Sequence, residues 1–362
     1  MSRPLVLFAV LTVVLLAPRT SSGQQESIAS QHLSMLMPAE RASLGRELIA
    51  DIERCYEFMN RATSESLPRK ILIAVNWDQT DSSCDWRGAS ISLGMNQPAA
   101  AADLAAFLFH SAAREIAHLG LLGLSRGGER EDTKFLFEGM TEILVHEYDH
   151  SSRSLEAAWV YSRFLDEMQM LGLATQRSWS TFSGGKRCLR SAAPGITFLT
   201  TFRELQGRER PLKFFEALRT KSLMESLAVA FRAPAAELEN TWLNRVREYR
   251  VADEITTAAA EAPQLVQITL IPDAGNRKAG VELRLFIEDR ARNLLPNGVF
   301  VRDERTGRLL QVQAASEKGV GFLVTVIPVD ANCPPGQYKY QVTAIDEAGN
   351  LRHWSGTYVV GS

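Results

Sequence analysis

The chain predicts an α+β lobe followed by an all-β sandwich, and three observations carry that reading. From Pro38 to Val246 the apolar residues recur mainly at helical spacing, with two short strand-like runs among them. Beyond Pro263 the period changes to two. Between these halves, Val251 to Pro263 is small and polar, with Thr256-Thr-Ala-Ala-Ala-Glu-Ala-Pro263 at its end, and reads as a linker. The domain boundaries that follow are 1–23, 24–250, 251–263 and 264–362.

The first 23 residues read as a secretory signal. Arg3 supplies the positive start, Leu5 to Leu16 the apolar stretch, and Ser21-Ser-Gly23 the small residues before a cut near Gln24. The apolar stretch is shorter than the roughly 20 residues of a spanning helix, and no later run reaches that length. The expectation is an exported protein with no integral membrane segment after cleavage, destined for a periplasm, cell envelope or extracellular space.

Gln24 to Leu36 is polar and reads as loose chain. Leu44, Leu48, Ile49, Ile52, Tyr56 and Met59 then mark a helix within Pro38–Ala62. Ile71 to Val75 reads as a buried strand, Asp78 to Arg87 as a turn-rich loop, and Ala89 to Leu93 as an edge strand. Two apolar helices follow, joined by the polar loop Ser125–Asp132. Helical sequence resumes after His150 to about Gly172. After a loop from Ser178 to Arg190 come three short helices, Phe198–Leu205, Pro211–Leu218 and Leu223–Phe231, and a last helix over Pro234–Val246. Gly184-Gly185 with Lys186 and Arg187 lacks the strand that a phosphate loop requires.

The second half contains seven strand-like runs: Val266–Leu270, Val281–Ile287, Gly298–Val301, Leu309–Val312, Phe322–Ile327, Tyr338–Ala344 and Gly356–Val360. Their number and spacing argue a β-sandwich. The end of the chain, Tyr340-Gln-Val-Thr-Ala-Ile-Asp346-Glu-Ala-Gly-Asn350, resembles the final hairpin of bacterial immunoglobulin-like domains. This half carries no catalytic motif and reads as a spacer or docking module.

The 362 residues include 40 Lys+Arg and 42 Asp+Glu, a formal net charge of −2, which argues against a nucleic-acid or anionic-membrane surface. An apolar content of 45% is enough to bury a sizeable core. The four cysteines, Cys55, Cys84, Cys188 and Cys333, allow disulfides in an exported chain; Cys55 could pair with Cys84, and Cys188 with Cys333 across domains. Buried free thiols are the equal alternative.

The chemistry is concentrated in the two helices around Ser125–Asp132. The first reads His110-Ser-Ala-Ala-Arg114-Glu115-Ile-Ala-His118. The second reads Phe135-Leu-Phe-Glu138-Gly-Met-Thr-Glu142. These blocks resemble the active-site core of the gluzincins, zinc peptidases that combine HExxH with a downstream Glu. The resemblance spans roughly residues 70–249, and its specific part is confined to Arg114–His118 and Phe135–Glu142. It implies a gluzincin-like metallopeptidase lobe with a small sheet and helices. It also implies Glu115 as the general base, His118 and Glu138 as zinc ligands, and Glu142 as the acid that orients the first His.

Arg114 departs from the pattern. It stands where the first His belongs, and a guanidinium has no lone pair to give a metal. Its expected role is an ion pair with Glu138 or Glu142, replacing zinc as a fixed charge. His110, two turns before His118, lies too far along the helix to substitute.

A literal HExxH also occurs, at His146-Glu147-Tyr-Asp-His150, where Glu147 would be the base and Glu167 a third ligand. Asp149 puts a charge inside that motif, and no Glu-Gly block follows at the right distance. Tyr148 and Tyr161 are oxyanion-donor candidates only in the weak sense that such enzymes use a tyrosine.

Three functions follow. The first is a metallopeptidase-like protein without catalysis, holding a peptide or protein ligand in the cleft, with Ala89–Leu93 pairing to it by strand addition. The second is a working zinc peptidase on either frame. The third is a structural envelope module. The cofactor is zinc, or none where Arg114 closes the site.

Overall fold

The computed structural model describes residues 24–96, 104–149, 153–173, 189–249, 263–272, 280–289, 294–317, 320–329, 333–346 and 351–360. The signal-like segment, His150, Gly184-Gly185, Cys188 and residues 251–262 of the expected linker lie outside them. The protein is mixed α+β, with eight helices and three sheets among the described residues.

The first sheet begins where loose chain was expected. β1 (Gln25–Ala29) and β2 (Leu33–Pro38) form an antiparallel hairpin, with Gln25 opposite Pro38. In β2, Leu33, Met35 and Met37 are fully buried and alternate with half-buried residues, the period of a one-sided strand. The polar Gln, Glu and Ser residues of β1 conceal the hairpin in the sequence, because β1 is the outer strand and needs little apolar surface.

After a single turn at Ala39–Arg41, α1 (Ala42–Ala62) crosses over the sheet. It delivers the chain to β3 (Ile71–Asn76), which runs parallel to β2. The expected core face is only partly right. Ile52, Tyr56 and Met59 are buried, together with Ala42, Gly45 and Cys55, whereas Leu44, Leu48 and Ile49 pack at its margin.

The turn-rich loop contains a further short strand, β4 (Ser83–Asp85), which folds back antiparallel onto β5 (Ser90–Gly94). The sheet order is β1-β2-β3-β5-β4. The expected edge strand over Ala89–Leu93 is therefore internal, with β3 on one side and β4 on the other. Both of its hydrogen-bonding edges are engaged, so strand addition there is ruled out.

Helices α2 (Leu104–Ser125) and α3 (Lys134–Asp149) occupy the centre of the lobe. Along α2 the burial is continuous from Glu115 to Leu122, and along α3 from Phe135 to Val145, as expected for helices covered on every side. α4 (Arg153–Glu167), α5 (Leu189–Gln206), α6 (Glu209–Ala217), α7 (Leu223–Phe231) and α8 (Ala235–Glu248) close around them. The short helix expected at Phe198–Leu205 is the second half of the 18-residue α5.

The helical core is aromatic. The Phe198 ring lies edge-on to Phe231 and Trp242, and Phe202 tilts against both Phe198 and Phe231. Thr197 joins three helices there, taking a hydrogen bond of 3.0 Å from Trp242 Nε1 and lying 3.1 Å from Ser162 Oγ.

Among the described residues the second half holds eight strands rather than seven. They are β6 (Gln264–Pro272), β7 (Val281–Glu288), β8 (Leu294–Asp303), β9 (Leu309–Gln311), β10 (Gln313–Glu317), β11 (Val320–Ile327), β12 (Gly336–Asp346) and β13 (Leu351–Val360). β10, the one the sequence concealed, is a short outer strand. The sheet orders are β10-β11-β7-β6 and β13-β12-β8-β9, and every pairing is antiparallel. Leu283 and Leu285 from one sheet share a core with Val301, Val342 and Tyr358 from the other. Fully buried Asp303 is satisfied by Tyr358 Oη at 2.9 Å, Thr306 Oγ1 at 2.7 Å and the Arg305 amide at 3.2 Å.

Cys55, Cys84 and Cys333 form no disulfide, so neither pairing that the sequence allowed is present. Cys55 is buried and its thiol is pushed up to about 12, first by desolvation and then by Asp149. Among the described residues no helix is long and apolar enough to cross a membrane.

Candidate metal centre

The centre is built where α2 and α3 face each other. Arg114 and His118 are four residues apart on α2 and share a face; Glu138 and Glu142 repeat that spacing on α3. His118 is 1% exposed, Glu115 2%, Glu138 0% and Glu142 8%. Four ionisable side chains in a helical core would carry a large desolvation cost if each stood alone.

The depth of Glu138 has a backbone cause. Its neighbour Gly139 lies against Gly195 of α5, where a Cβ would come within 2.4 Å of the Gly195 carbonyl carbon. A Cβ on Gly195 would in turn meet the Phe135 carbonyl oxygen at 1.9 Å. The two glycines let α3 and α5 touch backbone to backbone, and that contact fixes α3 against the centre.

Arg114 adopts its expected pairing. Its Nη2 lies 2.8 Å from Glu142 Oε1 and 3.7 Å from Glu138 Oε2. Both contacts are ion pairs, and the one to Glu142 is the close one. Arg114 thus spans both carboxylates of the Glu138–Glu142 block.

The residue that sequence reasoning missed is Glu129. Its Oε2 lies 3.0 Å from His118 Nε2. His118 Nδ1 has no hydrogen-bond partner among the described residues, so the Nε2 side orients the ring. Glu129 belongs to the polar loop between the helices, which the sequence marks only as a connector.

The fold of that loop is tight. Arg126 and Gly127 have φ of 54° and 75°, and the Gly127 amide bonds back to the Leu122 carbonyl at 2.7 Å, closing the end of α2. Trp86 packs where a Gly127 Cβ would stand, 2.5 Å from its Nε1. Thr133 Oγ1 accepts from the Arg130 amide at 2.8 Å and leads into α3. Loop closure of this kind depends on backbone angles rather than periodicity, so spacing arguments do not reach it.

His118, Glu129 and Glu138 each place one donor atom within 4.8 Å of the others. They come from α2, the loop and α3. No other such group of His, Cys, Asp and Glu occurs among the described residues.

The literal HExxH is arranged otherwise. Glu147, its would-be base, is gripped by Arg203 and Arg208 at the end of α3. Burial, with the adjacent Arg208 charge, holds Arg203 below its ordinary value. Glu167 is bound by Arg163 Nε at 3.3 Å and by Arg302 Nη2 at 2.7 Å, and is occupied at the other end of α4. His146 is half-buried in the last turn of α3, and His150 lies outside the described residues. His110 is exposed, two turns from His118. Tyr148 Oη reaches the Asp51 carbonyl at 3.4 Å, and Tyr161 is core, stacked on Phe164.

No family model matches the chain, and no curated protein matches it. Among solved structures it aligns with the crystal structure of the N-terminal part of the bacterial S-layer protein SbsC. The alignment covers 86% of this chain and 79% of that one at 12% identity, with a TM-score of 0.17. A likeness that low carries no argument about fold or function.

Proposed function

We propose that this is an exported metallopeptidase-like protein with a degenerate zinc site. It does not hydrolyse peptides, and it binds a peptide or protein in the cleft over α2 and α3. The observation that carries the reading is Arg114 Nη2 at 2.8 Å from Glu142 Oε1, in the place where the gluzincin pattern has its first His. The family's two-imidazole set does not fit these residues. A guanidinium cannot ligate a metal, and it already neutralises the acid that would orient the missing ring.

Several features support the lobe as gluzincin-like. A small sheet with an antiparallel outer strand precedes the helix carrying Arg114–His118, and the Glu138-Gly139 block sits on the next helix, facing it. On the β5 side of the sheet the outer strand that an extended ligand would meet is β4, in place of the internal β5. The C-terminal half is read as an immunoglobulin-like sandwich. With β6 to β13 taken as A, B, C, C′, D, E, F and G, its sheets follow the orders ABED and C′CFG.

The test uses the mature chain from Gln24, prepared without chelators, assayed for hydrolysis of a mixed peptide library before and after addition of Zn2+. No cleavage in either condition is the expected result. Cleavage by the parent that disappears in Glu115→Gln would overturn the reading in favour of a working zinc peptidase.

A further inference from the structure

We infer that the centre retains a divalent-cation site with a changed ligand set, His118, Glu129 and Glu138, in which a loop carboxylate takes the part of the lost helix imidazole. This rests on the proposed function only for which residues count as inherited. The convergence of the donors stands without it.

The three donor atoms lie within 4.8 Å of one another, and His118 Nε2 to Glu129 Oε2 is already 3.0 Å. A tetrahedral metal with bonds of about 2.0–2.2 Å holds its donors roughly 3.4 Å apart. The approach of the Glu138 donor by about an ångström would complete that triangle, a side-chain adjustment rather than a refolding of the loop. One imidazole and two carboxylates suit a first-row divalent cation such as Zn2+ or Mn2+, and suit Mg2+ poorly.

The supporting structure holds each donor in place. The backbone at Glu138 is held by the contact between α3 and α5, which leaves the side chain its adjustment. Glu129 is set by the closed loop, and His118 by its buried helix. Glu129 is the least enclosed of the three, with its side chain 26% exposed against 1% for His118, so it is the donor that can yield to let a cation in. Arg114 stands 3.7 Å from Glu138 and adds a positive charge beside the site, which should limit affinity.

The experiment is calorimetric titration of the full mature chain with Zn2+ alone, compared with Glu129→Gln. Glu129→Gln is isosteric and lies in a part-exposed loop, so the fold should persist. The expected result is one Zn2+ per chain, with affinity lowered at least about tenfold in the variant, since even outer-shell partners of metal ligands are worth 10–100-fold. X-ray absorption of the loaded parent should show one imidazole and oxygen neighbours. Absence of binding, or equal binding by parent and variant, would overturn the inference. Two imidazoles in the absorption spectrum would do so as well, by placing the metal at His146 and His150. None of these three outcomes touches the proposed lack of hydrolysis, which is judged by the peptide assay alone.

Discussion

Arg114 is where a single side chain decides the character of the centre. It holds Glu142 at 2.8 Å and Glu138 at 3.7 Å, and those carboxylates are among the most buried acids in the lobe. Removing the guanidinium would leave two buried carboxyl groups facing each other across one turn of α3. Breaking such a pair from one side costs about 3–5 kcal/mol. The Arg114 side chain is 22% exposed, so the low end of that range applies. Arg114→Ala should therefore lower stability by roughly 3 kcal/mol. Glu142→Gln should cost less in the Arg114→Ala background than in the parent, because its acceptor is already unpaired there. Urea unfolding of the four proteins of this cycle measures the coupling, and a coupling of zero would mean that the ion pair does not hold the centre together.

At the scale of elements, the contact of α3 with α5 through Gly139 and Gly195 matters most. A methyl at Gly195 would meet the Phe135 carbonyl oxygen at 1.9 Å, and backbone on both sides leaves nothing flexible to move. Gly195→Ala should push the helices apart and cost about 1–3 kcal/mol or more, the range for overpacked cores. A urea midpoint unchanged from the parent would show that the helices do not touch there. This contact also marks the limit of what the sequence discloses. The Glu-Gly pair could be read from spacing, as could the two helices and the pairing of Arg114, because the 3.6-residue period puts positions four apart on one face. The glycine's partner on α5 could not, since the residues are 56 positions apart. Outer strands were hidden for another reason. β1, β4 and β10 are short and largely polar, and a strand with one hydrogen-bonded edge needs little apolar alternation. Missing β4 exposed β5 falsely as an edge. Glu129 was hidden because its place follows from positive φ at Arg126 and Gly127.

At the scale of the molecule, the question is whether the sandwich hangs from the lobe or is part of it. Phe300 of β8 stacks on Phe164 of α4 with centroids 4.7 Å apart, and Phe300, Ile345 and Leu351 belong to the core cluster of the lobe, apart from that of the sandwich. Arg302 adds an ion pair to Glu167 at 2.7 Å on the rim of this contact. Contacts between domains of one chain are commonly polar and permit motion, whereas an apolar, interdigitated one couples them. The aromatic pair should dominate here, because the rim pair is exposed enough to count for little. The parent should then unfold in a single calorimetric transition. Phe300→Ala, which removes the ring from the lobe's core while leaving Val299 and Val301 to hold β8 in the sandwich, should split that transition in two. Arg302→Ala should leave it single. Two transitions in the parent, or one in Phe300→Ala at an unchanged temperature, would mean that the sandwich folds and moves on its own, and that any ligand held by the lobe is sensed without it.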